Sequence, residues 1–184
     1  MNNNTQTPVA EKQTRNRREW RQPLFRAFFI DELKDIYWAE QHSIKGEEQM
    51  ARAATCKRFI AHLEQHVNIH EQQLAWLGQI FEALGCKPSA KKCEAMEGLL
   101  KETASVIDDT EKDSFVRNAA LILCAQKIEH YKIAHYGTLR ALSGYLPECR
   151  IREQLGWLVD AAKERDARLT EIAENFVNEA AAEE

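Results

Sequence analysis

The segment from Leu63 to Leu84 constrains the fold most, because residues of one helix face recur there at alternating steps of four and three. This spacing aligns side chains along one stripe of an α-helix, and a strand with a period of two cannot bury it. The stripe continues over three heptads, as in helices that pack side by side. Its members are Leu63, Val67, His70, Leu74, Leu77, Phe81 and Leu84. We predict a long helix from about Lys57 to Leu84 that ends before Gly85 and Pro88.

Three further segments have helical spacing, so we predict four long helices. The first runs from near Pro23 to about Ala54, the third over about 115–143 behind a cap at Ser114, and the fourth over about 148–180. The polar connection 86–113 holds a short helix at about 90–107. Seven glycines and four prolines are too few turn residues for a many-stranded protein of 184 residues. We therefore expect an all-α, ferritin-like four-helix bundle over residues 23–181, with a long crossover between the second and third helices.

Composition and charge exclude several classes of protein. Residues 1–22 are polar and carry four arginines, which predicts a disordered basic tail, or alternatively a basic arm for an acidic partner. The net charge of −4 makes nucleic-acid binding by the domain unlikely on charge grounds. No apolar run reaches about 18 residues and no secretory signal is visible, so neither a membrane span nor secretion is predicted. The five cysteines are odd in number and lack C-x-x-C spacing, which indicates reduced thiols in a cytoplasmic protein.

Each long helix carries a polar residue near its middle, where the pattern predicts burial. Glu129 lies on a stripe with Ile122, Ala125, Ile133 and Tyr136. A carboxylate there loses hydration worth several kcal/mol unless a cation, a metal or hydrogen-bond donors replace the water. The other helices contribute Glu40, His70 with Glu71, and Arg165 with Asp166. In an antiparallel bundle the aligned midpoints bring these residues into one layer.

Three interpretations of this layer remain open. Carboxylates and imidazoles in a bundle core are the ligands of di-iron or di-manganese centres, and the candidate metal ligands are Glu40, His70, Glu71 and Glu129. Alternatively, Lys132 and Arg165 neutralise Glu40 and Glu129 without metal, the arginine through a bidentate contact. The third interpretation is a single metal ion. Two members of the ladder His62, His66 and His70 can chelate such an ion. Otherwise the ladder is a partly exposed polar strip. The cofactor is therefore iron, manganese or none.

No nucleophile–base pair, phosphate loop or dinucleotide motif is visible, so catalytic residues and a cofactor-binding motif cannot be named. Thiol-based redox sensing through Cys93 or Cys124 lacks any sequence sign of a low pKa. Whether the chain is an enzyme stays open at this point.

Four strings of residues resemble a known family. They are DELKDIYWAE at 31–40, KKCEAMEGL at 91–99, RNAALI at 117–122 and QKIEHYKIAHYGTLRAL at 126–142. Over about residues 24–178 the chain resembles the YciE/YciF family of ferritin-like bacterial proteins, which have no assigned reaction. The resemblance implies a ferritin-like fold, a cytoplasmic setting, a link to stress responses, a homodimer and metal binding; assembly with a paralogue is a further expectation.

Residue by residue, the resemblance implies inward glutamates at Glu40 and Glu129 and a motif glutamate at Glu97. Other ligand positions differ from the family. Where the family has an HLEET-like string, this chain has HVNIH at 66–70. The family's EHYE is EHYK at 129–132 here, which places Lys132 at a glutamate position, and its EEE run is DAA at 160–162. We therefore expect a structural or interaction protein with a degenerate metal site. The alternative is a di-iron or di-manganese protein that handles iron, peroxide or oxygen.

Overall fold

The computed structural model describes residues 23–184, so the predicted tail at 1–22 lies outside the described residues. The described part contains six helices and no strand, which confirms the all-α prediction. They are α1 Pro23–Ala53, α2 Lys57–Ala83, α3 Glu94–Asp109, α4 Phe115–Ser143, α5 Cys149–Phe176 and α6 Asn178–Glu183. The first three long helices begin and end close to their predicted bounds.

Two helical hairpins form the bundle. Helix α1 packs against α2, and α4 packs against α5; α1 also contacts α4, and α2 contacts α5. The crossover from α2 to α4 contains α3, which lies across α1 and α4. Gly46 permits this close approach, because a Cβ atom there would collide with the Leu100 side chain of α3. Each long helix therefore turns one face inward, toward the middle of the bundle.

Helix ends follow local chemistry. Ser114 accepts a hydrogen bond from the Arg117 amide and caps α4. Gly85 adopts φ = +71° directly after α2, a left-handed conformation that favours glycine. The short crossover helix begins at Glu94, later than the predicted start near residue 90, because Cys93 caps it and accepts from the Met96 amide.

The fourth helix is shorter than predicted. It ends at Phe176, where Val177 leaves helical geometry with φ = −128°. The Val177 side chain is buried, and after this break the six residues of α6 pack back on α4 and α5. The burial of the Val177 side chain thus turns the chain at a position where the sequence pattern alone predicts a continuous helix.

The inward face of α2 differs from the predicted stripe. His66 and Gln73 are buried, whereas Val67 and Leu74 are only half-buried. A sequence stripe chosen for its apolar residues misses this, because Glu47 of α1 pairs with His66, and His66 in turn contacts Gln73 on the same helix. Leu63, His70 and Leu77 occupy the inward positions that the pattern predicts.

No helix among residues 23–184 has the length and apolar character needed to cross a membrane.

Candidate functional site

Seven charged or titratable side chains lie buried in the middle of the bundle, and we call this group the inner charged layer. All seven are less than a tenth exposed, and each long helix contributes at least one. The members are Glu40 and Glu47 from α1, His66 and His70 from α2, Glu129 and Lys132 from α4, and Arg165 from α5.

Glu40 is completely buried and held by two donors. Its Oε2 lies 3.0 Å from the Lys132 ammonium, and its Oε1 accepts a 2.6 Å hydrogen bond from the Tyr136 hydroxyl. Burial alone would raise the pKa of Glu40. The charges of Lys132 and Arg165 and the Tyr136 hydrogen bond outweigh that effect and lower the pKa to about 2. Glu40 is therefore an ionised carboxylate inside the bundle.

Lys132 is the matching buried cation. Its Nζ lies 3.0 Å from Glu40 and 3.9 Å from Glu47, and the side chain is 0 % exposed. Burial opposes the charged form, but the carboxylates of Glu40, Glu129 and Glu47 overcome it and raise the pKa of Lys132. A charged ammonium thus lies against both carboxylates that α1 sends into the core.

Glu129 and Arg165 form a bidentate pair across α4 and α5. The Arg165 Nε donates to Glu129 Oε1 at 3.0 Å, and Nη2 donates to Oε2 at 2.8 Å. Despite burial, Glu129 raises the pKa of the guanidinium. The third nitrogen, Nη1, is buried without a hydrogen-bond partner. Both glutamates singled out in the sequence therefore contact the cations that the sequence placed beside them.

Glu47 is a member of the layer that the sequence analysis did not name. Its Oε2 makes a close contact with His66 Nδ1, and His66 Nε2 lies 3.2 Å from the Gln73 side-chain oxygen. Burial raises the pKa of Glu47, but the charge and hydrogen bond of His66 outweigh this and lower it. The available signal was the spacing, since Glu47 follows Glu40 by seven residues, or two helical turns.

The two other members of the histidine ladder are less tightly held. Burial lowers the pKa of His70, whose Nδ1 lies 3.8 Å from Glu40 Oε2. Burial, together with the charges of His66 and Arg165, lowers the pKa of half-buried His62 to about 4. Both rings are therefore neutral at pH 7. A partly exposed polar strip is the alternative for this ladder, but His66 and His70 lie inside the bundle.

Two residues expected in the layer lie outside it. Glu71 is exposed on the solvent side of α2, because one residue after the inward His70 a helix has rotated by about 100°. Asp166 lies at the edge of the bundle and accepts a hydrogen bond from Gln126. Among the predicted residues, the structure brings together Glu40, His70, Glu129, Lys132 and Arg165, but not Glu71.

These donors do not fit a two-metal centre. Such a centre takes about four carboxylates and two imidazoles, whereas the layer offers three carboxylates, and Glu40 and Glu129 already face cations. The Lys132 ammonium lies within 4 Å of both Glu40 and Glu47, where a bridging ion would have to bind.

A small cavity and a surface groove adjoin this layer. The cavity has a volume of about 10 Å³ and is lined by Glu47, His62, His66, Glu129, Arg165 and five apolar residues. A groove of about 610 Å³ lies between α2 and α5 and shares His62, His66 and Arg165 with the cavity. These three side chains therefore lie between the bundle surface and the interior.

A second polar cluster joins the crossover to the bundle. The Tyr131 hydroxyl donates to Asp35 Oδ2 at 2.6 Å and lies 3.0 Å from Cys93 Sγ and 3.2 Å from His135 Nδ1. Burial raises the pKa of the Cys93 thiol, and likewise that of Cys124. Neither thiol has the exposed, low-pKa setting of a redox sensor.

Comparison with known proteins finds several relatives. The profile of a family described as a domain of unknown function, DUF892, matches residues 25–182. Protein YciF of Escherichia coli K12 is 38% identical over 154 residues, covering 83% of this chain and 92% of YciF.

Solved structures of other proteins are similar to this chain over most of its length. The structure of the E. coli stress protein YciF has a TM-score of 0.79 at 36% identity and covers 85% of this chain and 98% of its own. YcfI of Rhodopseudomonas palustris, described as a proposed structural protein, has a TM-score of 0.74 at 33% identity, with 79% and 92% covered. A protein of Xanthomonas campestris at 21% identity, with a TM-score of 0.64, shares the fold.

Proposed function

The chain belongs to the DUF892 family, and from this membership we propose that it is a YciF-like structural or interaction protein associated with stress responses. The description of E. coli YciF as a stress protein supports the association with stress. The description of YcfI as a proposed structural protein supports a role without a reaction. In this proposal the inner charged layer fixes how the four helices pack, and no two-metal chemistry takes place there.

One observation carries this proposal: the wholly buried ion pair between Lys132 and Glu40, 3.0 Å apart. An ammonium at this position repels a metal ion and satisfies the carboxylate that such an ion would need. Arg165 does the same for Glu129. A buried charge is costly to leave unpaired, so each pair selects the helix arrangement in which both partners meet.

The second candidate is a di-iron or di-manganese protein that handles iron, peroxide or oxygen. The observation in its favour is the convergence of three carboxylates and two imidazoles from three helices in one buried layer. This candidate requires the cations to move away from Glu40 and Glu129 when metal binds.

The setting of the proposed function is a cytoplasmic homodimer, in which a paralogue can replace one copy. The exposed apolar side chains Ile69, Trp157 and Phe176 on α2 and α5 are compatible with a protein contact. Light scattering after gel filtration gives the mass in solution, and a monomer at micromolar concentration contradicts the dimer.

Counting metal ions separates the two candidates. The full chain, purified without chelator, is loaded anaerobically with iron(II) or manganese(II), and the bound ions per chain are measured for the wild type, Glu40→Gln and Lys132→Glu. We expect fewer than two ions in the wild type and no dependence on Glu40. Lys132→Glu removes the competing ammonium and adds a carboxylate, so we expect it to gain metal.

Two ions per wild-type chain that disappear in Glu40→Gln would overturn the structural proposal. Lys132→Glu with unchanged stability and unchanged metal content would refute the ion-pair account of the layer.

A further inference from the structure

Five residues are joined by short polar contacts where α1, α4 and the crossover meet, and we call them the Tyr131 cluster. Its members are Glu32 and Asp35 of α1, Cys93 at the N-terminal cap of α3, and Tyr131 and His135 of α4. The His135 side chain is only 11% exposed, and Cys93 is buried. None of the five belongs to the inner charged layer, so the cluster is a separate polar site.

The Tyr131 hydroxyl has one proton, and its shortest contact shows where that proton points. The hydroxyl donates to Asp35 Oδ2 at 2.6 Å. Its oxygen is therefore the acceptor toward His135 Nδ1 at 3.2 Å and Cys93 Sγ at 3.0 Å. Burial and the Asp35 hydrogen bond raise the pKa of Tyr131, and burial raises the pKa of the Cys93 thiol. Both groups therefore keep their protons at neutral pH.

Each ring nitrogen of His135 faces an acceptor. Its Nε2 lies 2.9 Å from the backbone carbonyl oxygen of Glu32, which can only accept, so Nε2 carries a proton. Its Nδ1 faces the Tyr131 oxygen, whose own proton points to Asp35, so Nδ1 has to donate as well. A histidine ring that donates from both nitrogens is an imidazolium.

The surroundings of His135 favour the charged ring. Apart from members of the Tyr131 cluster, the pocket beside it is lined by side chains without a titratable group: Phe28, Ala134, Thr138, Leu139 and Leu142. Glu32 Oε2 lies 3.6 Å from Nε2, and the Asp35 carboxylate lies on the other side of the Tyr131 hydroxyl. Negative charges at this range favour the protonated ring. The exposed ammonium of Lys91 pairs with Asp31 and, being in solvent, opposes this effect only weakly.

We propose that His135 is held as an imidazolium and acts as a pH-sensitive latch, which fastens the crossover to α1 and α4 while the ring is protonated. When the ring loses one proton, the Glu32 carbonyl still requires the proton on Nε2. A lone pair on Nδ1 then faces the Tyr131 oxygen. Tyr131 either loses this contact or turns its proton toward His135 and gives up Asp35. The cluster loses one hydrogen bond in each case.

The start of α3 is the part of the molecule that the latch holds. Cys93 accepts from the Met96 amide at 3.3 Å, and its Sγ is the atom that contacts Tyr131. The Lys91 amide donates to the Lys34 carbonyl at 3.1 Å. We expect this segment to be held most firmly below about pH 6.5, the ordinary imidazole value. It should loosen at higher pH, as the folded ring releases the proton that it holds more tightly than the unfolded chain does.

Nuclear magnetic resonance of the wild-type full chain, with ¹⁵N-labelled histidine and assigned signals, tests the protonation state. Correlations between ring nitrogens and ring protons distinguish the imidazolium from both neutral tautomers. At pH 7 we expect His135 to be mainly doubly protonated, whereas an imidazole with the ordinary value of about 6.5 is only about one quarter protonated. A mainly neutral His135 ring at pH 7 would overturn the proposal, and this measurement needs no variant.

Amide hydrogen exchange tests the latch itself. Protection of the Met96 amide, corrected for its intrinsic exchange rate, is measured from pH 6 to pH 9. We expect about a tenfold loss of protection in the wild type, as for loss of one hydrogen bond. His135→Gln has no ring proton to lose, so its protection should stay constant. His130→Gln is the matched control, since it removes an exposed histidine of the same helix, and it should behave like the wild type.

Circular dichroism shows whether each variant folds. Constant protection of Met96 in the wild type, or an equal loss in His135→Gln, would mean that His135 does not control the crossover. A loss that disappears in His130→Gln would assign the pH response to the wrong histidine and would also refute the latch. If His135→Gln does not fold, the wild-type exchange profile and the ring protonation decide together, and both must agree with the expected results.

Discussion

Two lysine–glutamate pairs in this molecule have nearly the same geometry and opposite surroundings. Lys132 and Glu40 lie 3.0 Å apart inside the bundle, and both are 0 % exposed. Lys92 and Glu97 lie 2.8 Å apart at the start of α3, and their side chains are 49% and 29% exposed. We call the first the inner pair and the second the crossover pair.

The surroundings decide what each pair does. Water solvates both partners of the crossover pair whether or not they meet, so the contact adds little to stability. Neither partner of the inner pair can recover its hydration, so each needs the other to make burial tolerable. The same ion pair is therefore optional at the surface and obligatory in the core, where it selects one helix arrangement.

Removing the inner cation should have the largest effect. We expect Lys132→Met to lower the free energy of unfolding by about 3–5 kcal/mol, because the ionised Glu40 stays buried without its cation. Urea unfolding followed by circular dichroism measures this loss.

The double variant Glu40→Gln with Lys132→Met sharpens this test. It removes both charges and keeps an acceptor for Tyr136, so it should recover at least about 2 kcal/mol of the loss. If Lys132→Met is as stable as the wild type, or if the double variant is no more stable than Lys132→Met, the stabilities of Lys132 and Glu40 are not coupled.

Acid should remove the stabilising contribution of the inner pair. Glu40 titrates at about 2 in the folded chain against an ordinary value of 4.5, so its stabilising contribution is complete above pH 4.5 and is lost as the pH falls toward 2. The shift corresponds to about 3 kcal/mol. Unfolding measured from pH 6 to pH 2 should decline less steeply in Glu40→Gln, and equal slopes would contradict the assignment.

The sequence predicts the helices well because helical periodicity and capping are local properties. It also identifies Lys132 and Arg165 as candidate cations, since each lies on the inward face near a glutamate. It does not predict Glu47 or His66 as inward residues that meet, because that contact depends on how α1 and α2 are rotated against each other. Nor does it show that Glu71 faces solvent, since one residue of helical rotation separates it from His70.

The cluster around Tyr131 lies between the two extremes, because it is half-buried and joins α4 to α1 and the crossover. Tyr131→Phe removes the 2.6 Å hydrogen bond to Asp35 and should cost about 1–2 kcal/mol in urea unfolding. Tyr145→Phe is the matched control, since Tyr145 is exposed and should tolerate the change. Equal stability of the two variants would mean that solvent replaces the Tyr131 contact without cost.

Removing the crossover cation should have the smallest effect. In Lys92→Met we expect a urea midpoint that matches the wild type within experimental error, because water and Lys101, 3.2 Å from Glu97, both compensate for the lost partner. Salt gives an independent check, since 1 M NaCl screens charges at the surface over about 3 Å and scarcely affects buried ones. The difference in midpoint between Lys132→Met and the wild type should therefore persist in 1 M NaCl. If Lys92→Met proves as unstable as Lys132→Met, burial is not what distinguishes the two pairs, and the crossover must be anchored by its surface charges.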